Sequence, residues 1–155
     1  MSIGIMRGDL ISAAKRGHFD LIAHGCNCFH TMGAGIAKQI KEQFPEAYIT
    51  DLQTPYGDIF KLGTISKVIY SDLTVVNCYT QFYFSQKYGP PVDYNAIRGS
   101  FQEIYNLLNT HPEHIHRHRI GIPMIGCGLA GGKWDIVAKI VEEELDDFDV
   151  TVMYI

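Results

Sequence analysis

Residues 120–133 read Ile-Gly-Ile-Pro-Met-Ile-Gly-Cys-Gly-Leu-Ala-Gly-Gly-Lys, an apolar run that breaks into glycines and then enters a helical pattern. The run is a buried strand, and the glycines are the loop behind it. Gly126, Gly128, Gly131 and Gly132 admit positive φ and carry no Cβ, so successive backbone N–H groups can converge on an anion. The helix expected from Trp134 to Leu145 would aim its positive N-terminus at the same place. Strand, glycine loop and helix in succession is the unit from which α/β folds are assembled.

The unit occurs twice. Phe19 to Ala23 is a buried strand, residues 24–32 (His-Gly-Cys-Asn-Cys-Phe-His-Thr-Met) form its loop, and Gly33-Ala34-Gly35 opens a helix. Ile36, Ala37, Ile40 and Phe44 fall on one helical face, and Pro45 stops the helix at Phe44. Two such units place two anion-binding loops side by side.

Around them the chain supplies a sheet. Ser2 to Met6 is an apolar strand that hands over to a loop at Arg7-Gly8-Asp9-Leu10, where Asp9 reads as a turn or helix-capping carboxylate. Residues 46–62 carry little regular pattern and read as a connection with a short helix. Gly63 to Tyr70 and Leu73 to Thr80 are rich in β-branched residues and form an antiparallel hairpin across Ser71-Asp72. Residues 81–91 are aromatic and irregular. Asp93 caps a helix with the stripe Ile97, Phe101, Ile104, Leu107 and Leu108, and Val150 to Ile155 is the closing strand. The order β, β, α, β, β, α, β, α, β gives an α/β sandwich with a mixed sheet.

The 155 residues suffice for one domain, and 46% apolar with 19% charged residues is the composition of an ordinary globular protein. A net charge of −4 argues against a large nucleic acid as partner while leaving room for a small nucleotide held by backbone amides. Cys26, Cys28, Cys78 and Cys127, without a basic leader and apolar h-region, point to free thiols and a cytoplasmic location. No apolar run is long enough for a membrane span.

Several motifs lead elsewhere and are set aside. Gly126-x-Gly128-x-x-Gly131 matches a dinucleotide fingerprint, but the strand after it ends the sequence without the acidic residue that would bind ribose. There is no P-loop sequence. His24, Cys26, Cys28 and His30 alternate in the pattern of metal ligands on a strand, yet the chain must turn near Asn27 to reach Gly33. The histidines from His111 to His118 lie between a helix end and a strand start, where solvated polar residues are expected. Cys127 with His24 would make a nucleophile pair on paper; Cys127 is preferred as a small residue lining an anion site.

With Gly8-Asp9-Leu10, Gly25-Cys26-Asn27, Met32-Gly33-Ala34-Gly35-Ile36-Ala37 and Pro123-Met124-Ile125-Gly126-Cys127-Gly128-Leu129-Ala130 all in view, the chain resembles a macro domain along its whole length. The resemblance implies a single three-layer α/β/α domain over residues 1–155 with a mixed, largely central sheet. It implies ADP-ribose or a derivative in a cleft over that sheet, with no cofactor and no metal, and an ADP-ribosylated protein as a further candidate partner. Asp9 would accept the adenine amino group and Asn27 would contact the distal ribose. Residues 32–37 and 124–130 would hold the diphosphate and distal ribose through backbone N–H groups, and Gly8, Leu10, Gly25 and Cys26 would line the cleft. Tyr154, Ile155 and Met153 are the candidates to pack on adenine.

Within the family the 24–28 stretch is similar to that of the stand-alone ADP-ribose 1''-phosphate phosphatases. Ala130 and Gln81 stand where lysine-using glycohydrolases carry their reactive groups. The expected activity is removal of that phosphate, with Asn27 and His24 as the catalytic candidates and His30 in reserve. An ADP-ribosyl-protein hydrolase and a non-catalytic ADP-ribose reader are the alternatives. The chain is read as a monomer.

Overall fold

A computed structural model describes residues 3–85, 91–109, 118–128 and 130–155. The histidine-rich residues 111–117 and Leu129 lie outside these, as does the start of the first strand at Ser2. In chain order the elements are β1 (Ile3–Arg7), α1 (Leu10–Lys15), β2 (Leu21–Cys26), α2 (Gly35–Gln43), α3 (Pro45–Leu52), β3 (Ile65–Ile69), β4 (Thr74–Tyr79), α4 (Tyr94–Leu108), β5 (Arg119–Ile122), α5 (Trp134–Glu144) and β6 (Asp149–Tyr154), with a 3₁₀ turn at Ile59–Lys61.

The six strands form one sheet in the order β1-β6-β5-β2-β4-β3. Every neighbouring pair is parallel except β3 with β4, the expected hairpin, closed by Tyr70 N–H donating to Leu73 O at 2.8 Å. Helices cover both faces. One core joins Leu21, Ala23 and Ile122 of the sheet to Ile97, Phe101 and Ile104 of α4 and Val137, Ile140 and Val141 of α5. The other joins Ile22 and Val75 to α1, to Ile40 of α2 and to Ala47 of α3. Adjacent residues of β2 feed opposite cores because strand side chains alternate, so this strand is buried on both faces. The three-layer α/β/α expectation holds. Among the described residues no helix is long and apolar enough to cross a membrane.

Three elements depart from the sequence reading. Residues 10–15 form a helix rather than a loop, because Asp9 Oδ1 accepts from Ile11 N (2.9 Å) and Ser12 N (3.2 Å) and so completes the first turn, while Leu10, Ile11, Ala13 and Ala14 bury its inner side. Pro45 does end α2, and it also begins α3 at the first helical position, where its missing N–H costs nothing. β2 runs three residues past Ala23, which takes His24 and Cys26 out of the loop and into the sheet. Gly25 does not break the strand: a Cβ there would stand 2.7 Å from Thr80 Oγ1, so the glycine admits the side chain that follows the neighbouring strand β4.

Candidate functional site

β2 and β5 lie side by side and parallel, yet the chain leaves them in opposite directions, from β2 to the layer of α1, α2 and α3 and from β5 to the layer of α4 and α5. Their C-terminal ends therefore part and leave a crevice, the position where open α/β sheets take ligands. Both glycine loops border it. Asp9 follows β1 and Ile155 follows β6 on the same edge of the sheet.

The loop after β5 is shaped by tight packing. Cys127 N donates to Met124 O (3.1 Å), Gly131 N to Gly128 O (3.1 Å) and Gly132 N to Gly126 O (2.6 Å), which closes a turn at 124–127 and ties Gly131 and Gly132 back onto it. Gly126 has φ +75°, and a Cβ there would lie 2.6 Å from Val92 Cγ2, so two independent constraints demand glycine. Ile125 and Ala130 are buried, whereas Met124 and Gly128 are exposed toward solvent. Val92 N donates to Ala130 O at 3.3 Å and holds the loop a second time.

The loop after β2 is held by polar contacts. Asn27 Nδ2 donates to Thr31 O (3.1 Å) and Thr31 Oγ1 (2.5 Å), and Asn27 Oδ1 accepts from Phe29 N (2.8 Å). Met32 is buried, after which Gly33, Ala34 and Gly35 are exposed. Gly35 takes φ +58°, and a Cβ on Gly33 or Gly35 would meet nothing within 4 Å.

The helices that follow the two loops begin without side-chain caps, Ala34 for α2 and Lys133 for α5, whereas Asp9 and Asp93 cap α1 and α4. At α2 this leaves the N–H groups of Gly35, Ile36 and Ala37 without a capping oxygen. At α5 the same holds for Trp134 and Asp135. The uncapped positive helix ends adjoin the crevice, and an anion between the loops would satisfy them.

His24 is not at the crevice. It is fully buried on the α3 side of β2, its Nε2 2.7 Å from Asn77 Oδ1. Asn77 Nδ2 donates to Ala47 O and Ser66 Oγ, so its oxygen faces the imidazole and His24 Nε2 is the donor. Burial pushes the His24 pKa down to about 4, only partly opposed by the bond to Asn77, which keeps the ring neutral. The network continues through Ser66 to Tyr79 OH, which donates to Asp51 Oδ1 at 2.6 Å. The expectation that His24 moves a proton at the loop is thus corrected: it ties β2 to β4. His30 Nε2 lies 2.7 Å from Thr54 O and is likewise engaged.

The thiols fit neither nucleophile nor metal ligand. Burial raises Cys26 well above the usual thiol range and Cys28 to about 11, and it also raises the half-buried Cys127. Cys127 Sγ contacts Ile125 O at 3.4 Å. Among the described residues no three His, Cys, Asp or Glu side chains stand where they could share a metal ion.

The structure thus gathers Gly8, Asp9, Asn27, residues 33–37 and residues 124–128 along one edge, while Leu10, Cys26 and Met32 lie buried behind it. Met153 is also buried, with Cε 2.9 Å from where a Gly8 Cβ would stand, which leaves Tyr154 and Ile155 exposed at the adenine end of the expected cleft. Thr31 and Val92 escaped the sequence reading. Asn27 followed four residues later by a hydroxyl is a readable sign of a side-chain-tied loop. Nothing local marks Val92, which is distant in sequence from the glycine it packs on.

Comparison with known proteins follows the same lines. The chain is 34% identical to an uncharacterized 17.5 kDa protein of Enterobacteria phage T4, over 99% of this chain and 96% of that one. It is 23% identical to an ADP-ribose 1''-phosphate phosphatase of Saccharomyces cerevisiae, over 97% of each. Among solved structures it is similar to a Bacteroides thetaiotaomicron protein of unknown function (28% identity, 99% and 98% coverage, TM-score 0.78) and to the macrodomain of Mycobacterium tuberculosis DarG (19%, 98% and 97%, TM-score 0.74). It is also similar to a Trypanosoma brucei macrodomain in complex with ADP-ribose (16%, 99% of this chain and 64% of that one, TM-score 0.62). No family model matches the chain. The chain thus has the macro domain fold of these structures.

Proposed function

We propose that this macro domain binds ADP-ribose in the crevice between the loops after β2 and β5, and that it removes the phosphate from ADP-ribose 1''-phosphate. The observation that carries the reading is the pair of uncapped helix N-termini beside exposed glycines: a diphosphate laid between them would receive backbone N–H groups from both sides without any lysine or arginine. Asp9 uses one carboxylate oxygen for its cap, and the other is assigned to the adenine amino group. Asn27, with both ends of its amide engaged, positions residues 28–34 around the distal ribose.

In the proposed reaction water adds to phosphorus as the bond from phosphorus to the sugar oxygen breaks, giving inorganic phosphate and ADP-ribose. Such a monoester passes through a loose transition state that needs alignment and charge stabilisation more than a covalent nucleophile. Residues 33–37, Gly126 and Gly128 supply backbone N–H groups for that purpose. His24, buried and neutral, takes no part. The end-to-end similarity to the yeast phosphatase supports this reaction. So does the crevice chemistry: Gln81 donates its amide to Tyr83 O, and Ala130 is buried, so neither position offers the lysine or the acid that cleavage from protein side chains would use.

Calorimetry with ADP-ribose in the presence of a chelator tests the binding, and absence of heat at millimolar ligand removes it. Phosphate release from ADP-ribose 1''-phosphate, run beside release of ADP-ribose from a glutamate-modified protein, tests the reaction. Wild type is expected to give phosphate only, and Asn27→Ala to weaken both binding and turnover. Release of ADP-ribose without phosphate overturns the phosphatase reading, and binding without either product leaves a reader of ADP-ribose.

A further inference from the structure

The two edges of the sheet are finished differently. β3 lies against α3, buries Ser66 and carries an exposed Lys67 at its centre, a charge of the kind that discourages edge pairing. β1 is less protected. Its register with β6 is unbroken from Ile3 to Arg7, no charge or proline occurs before Arg7, and among the described residues no strand lies on its outer side. Helix cover reaches only its start, where the half-buried Ile3 packs against the core beneath α5, and the four residues after it are exposed. Ile5, opposite Val152 and so on the α5 side, is 67% exposed; Met6, opposite Met153 and so on the α1 side, is 52% exposed.

We propose that β1 pairs antiparallel with β1 of a second copy of this chain about a two-fold axis at Ile5, joining two six-stranded sheets into one. Centred there, all five residues of the strand find partners. Ile5 meets Ile5, a cross-strand apolar pair on the α5 side, while each Met6 lies beside the Gly4 of the other copy on the α1 side, a long side chain against one with no Cβ. Moving the axis to Gly4 or to Met6 leaves two of the five residues unpaired and sets glycine against glycine or methionine against methionine. The strand thus complements itself, as an isologous contact requires. The pairing ends before Gly8, so the crevice stays open in both copies. This dimer stands in place of the monomer expected from sequence and does not depend on the ligand assignment.

Sedimentation velocity of the full chain over a wide concentration range tests it, with a reversible dimer expected. Ile5→Lys sets two like charges face to face across the axis and is expected to give a monomer throughout, with the melting temperature and far-UV spectrum confirming that it folds. Gly4→Ala narrows the slot beside Met6 and should weaken the dimer at least tenfold. Ile5→Cys is expected to form a covalent dimer on mild oxidation, and Ile3→Cys, which faces Arg7 in this register, to form none. A wild-type chain that stays monomeric at every concentration overturns the proposal, as does a dimer that Ile5→Lys leaves intact.

Discussion

Across the crevice, the loop after β5 is fixed by carbon packed against glycine, and the loop after β2 by the hydrogen bonds of an asparagine, with a buried histidine bonded in the strand below it. A Cβ on Gly126 would stand 2.6 Å from Val92 Cγ2, whereas one on Gly33 would meet nothing within 4 Å. Asn27 anchors its loop through Thr31 and Phe29, and below it His24 joins β2 to Asn77 of β4. Steric packing is indifferent to pH and intolerant of added volume. Hydrogen-bonded anchoring tolerates volume at its exposed glycines and responds to protonation. The two walls of one site should therefore fail under different perturbations.

The largest effect is expected on the β5 side. Gly126→Ala combines a left-handed backbone angle with overpacking against Val92 and should lower unfolding free energy by roughly 2–4 kcal/mol, read from urea denaturation, while abolishing ADP-ribose binding. Adding Val92→Ala removes the overpacking but leaves the backbone strain, so part of the stability should return. If the double variant is no more stable than the single one, packing is not what shapes this loop.

Next comes the pH response of the β2 side. His24 is held neutral with its pKa near 4, against about 6.5 in an unfolded chain. The unfolded state gains a proton first as pH falls, so His24 contributes its full stability above about 6.5 and loses it progressively toward 4, a change on the order of 3 kcal/mol. His24→Gln, which keeps a donor for Asn77 but cannot titrate, should flatten the stability profile across that window relative to wild type. Parallel profiles for the two proteins would assign the acid response to other groups.

Asn27→Ala removes three hydrogen bonds from the loop and is expected to cost about 1–2 kcal/mol, visible as a lowered melting temperature, together with weaker ADP-ribose binding. The smallest structural effect belongs to Gly33→Ala. Its stability should lie within about 0.5 kcal/mol of wild type, yet its affinity for ADP-ribose should fall, because the added methyl enters only the space a ligand would use. Unchanged affinity would mean that this backbone does not approach the ligand.

His24 shows why part of the site was hidden from the sequence. His-Gly-Cys at 24–26 reads as the start of a loop because glycine weakens a strand, and only the approach of Thr80, just past β4, reveals that the glycine makes room for a neighbour. The catalytic expectation for His24 rested on that misplaced boundary. Asp9 is the opposite case: a capping carboxylate was one of its two local readings, and the helix it caps went unread because six residues are too few to display a period.

The sequence alone determined what short-range physics controls. Strands with their alternating or continuous apolar runs, glycine loops behind two of them, Asp93 as a cap, Pro45 as a stop and the hairpin at Ser71-Asp72 all depend on residues a few positions apart. Tertiary structure decided the order of the strands, and with it the crevice, because β5 lies between β6 and β2 through pairings that join segments distant in sequence. It decided which side of β2 His24 would occupy, since a strand end fixed by its neighbours sets the register of every side chain before it. It also brought Val92 onto Gly126 and left β1 bare at the sheet's edge: packing between distant segments is set by where the backbone returns, and no local pattern encodes that return.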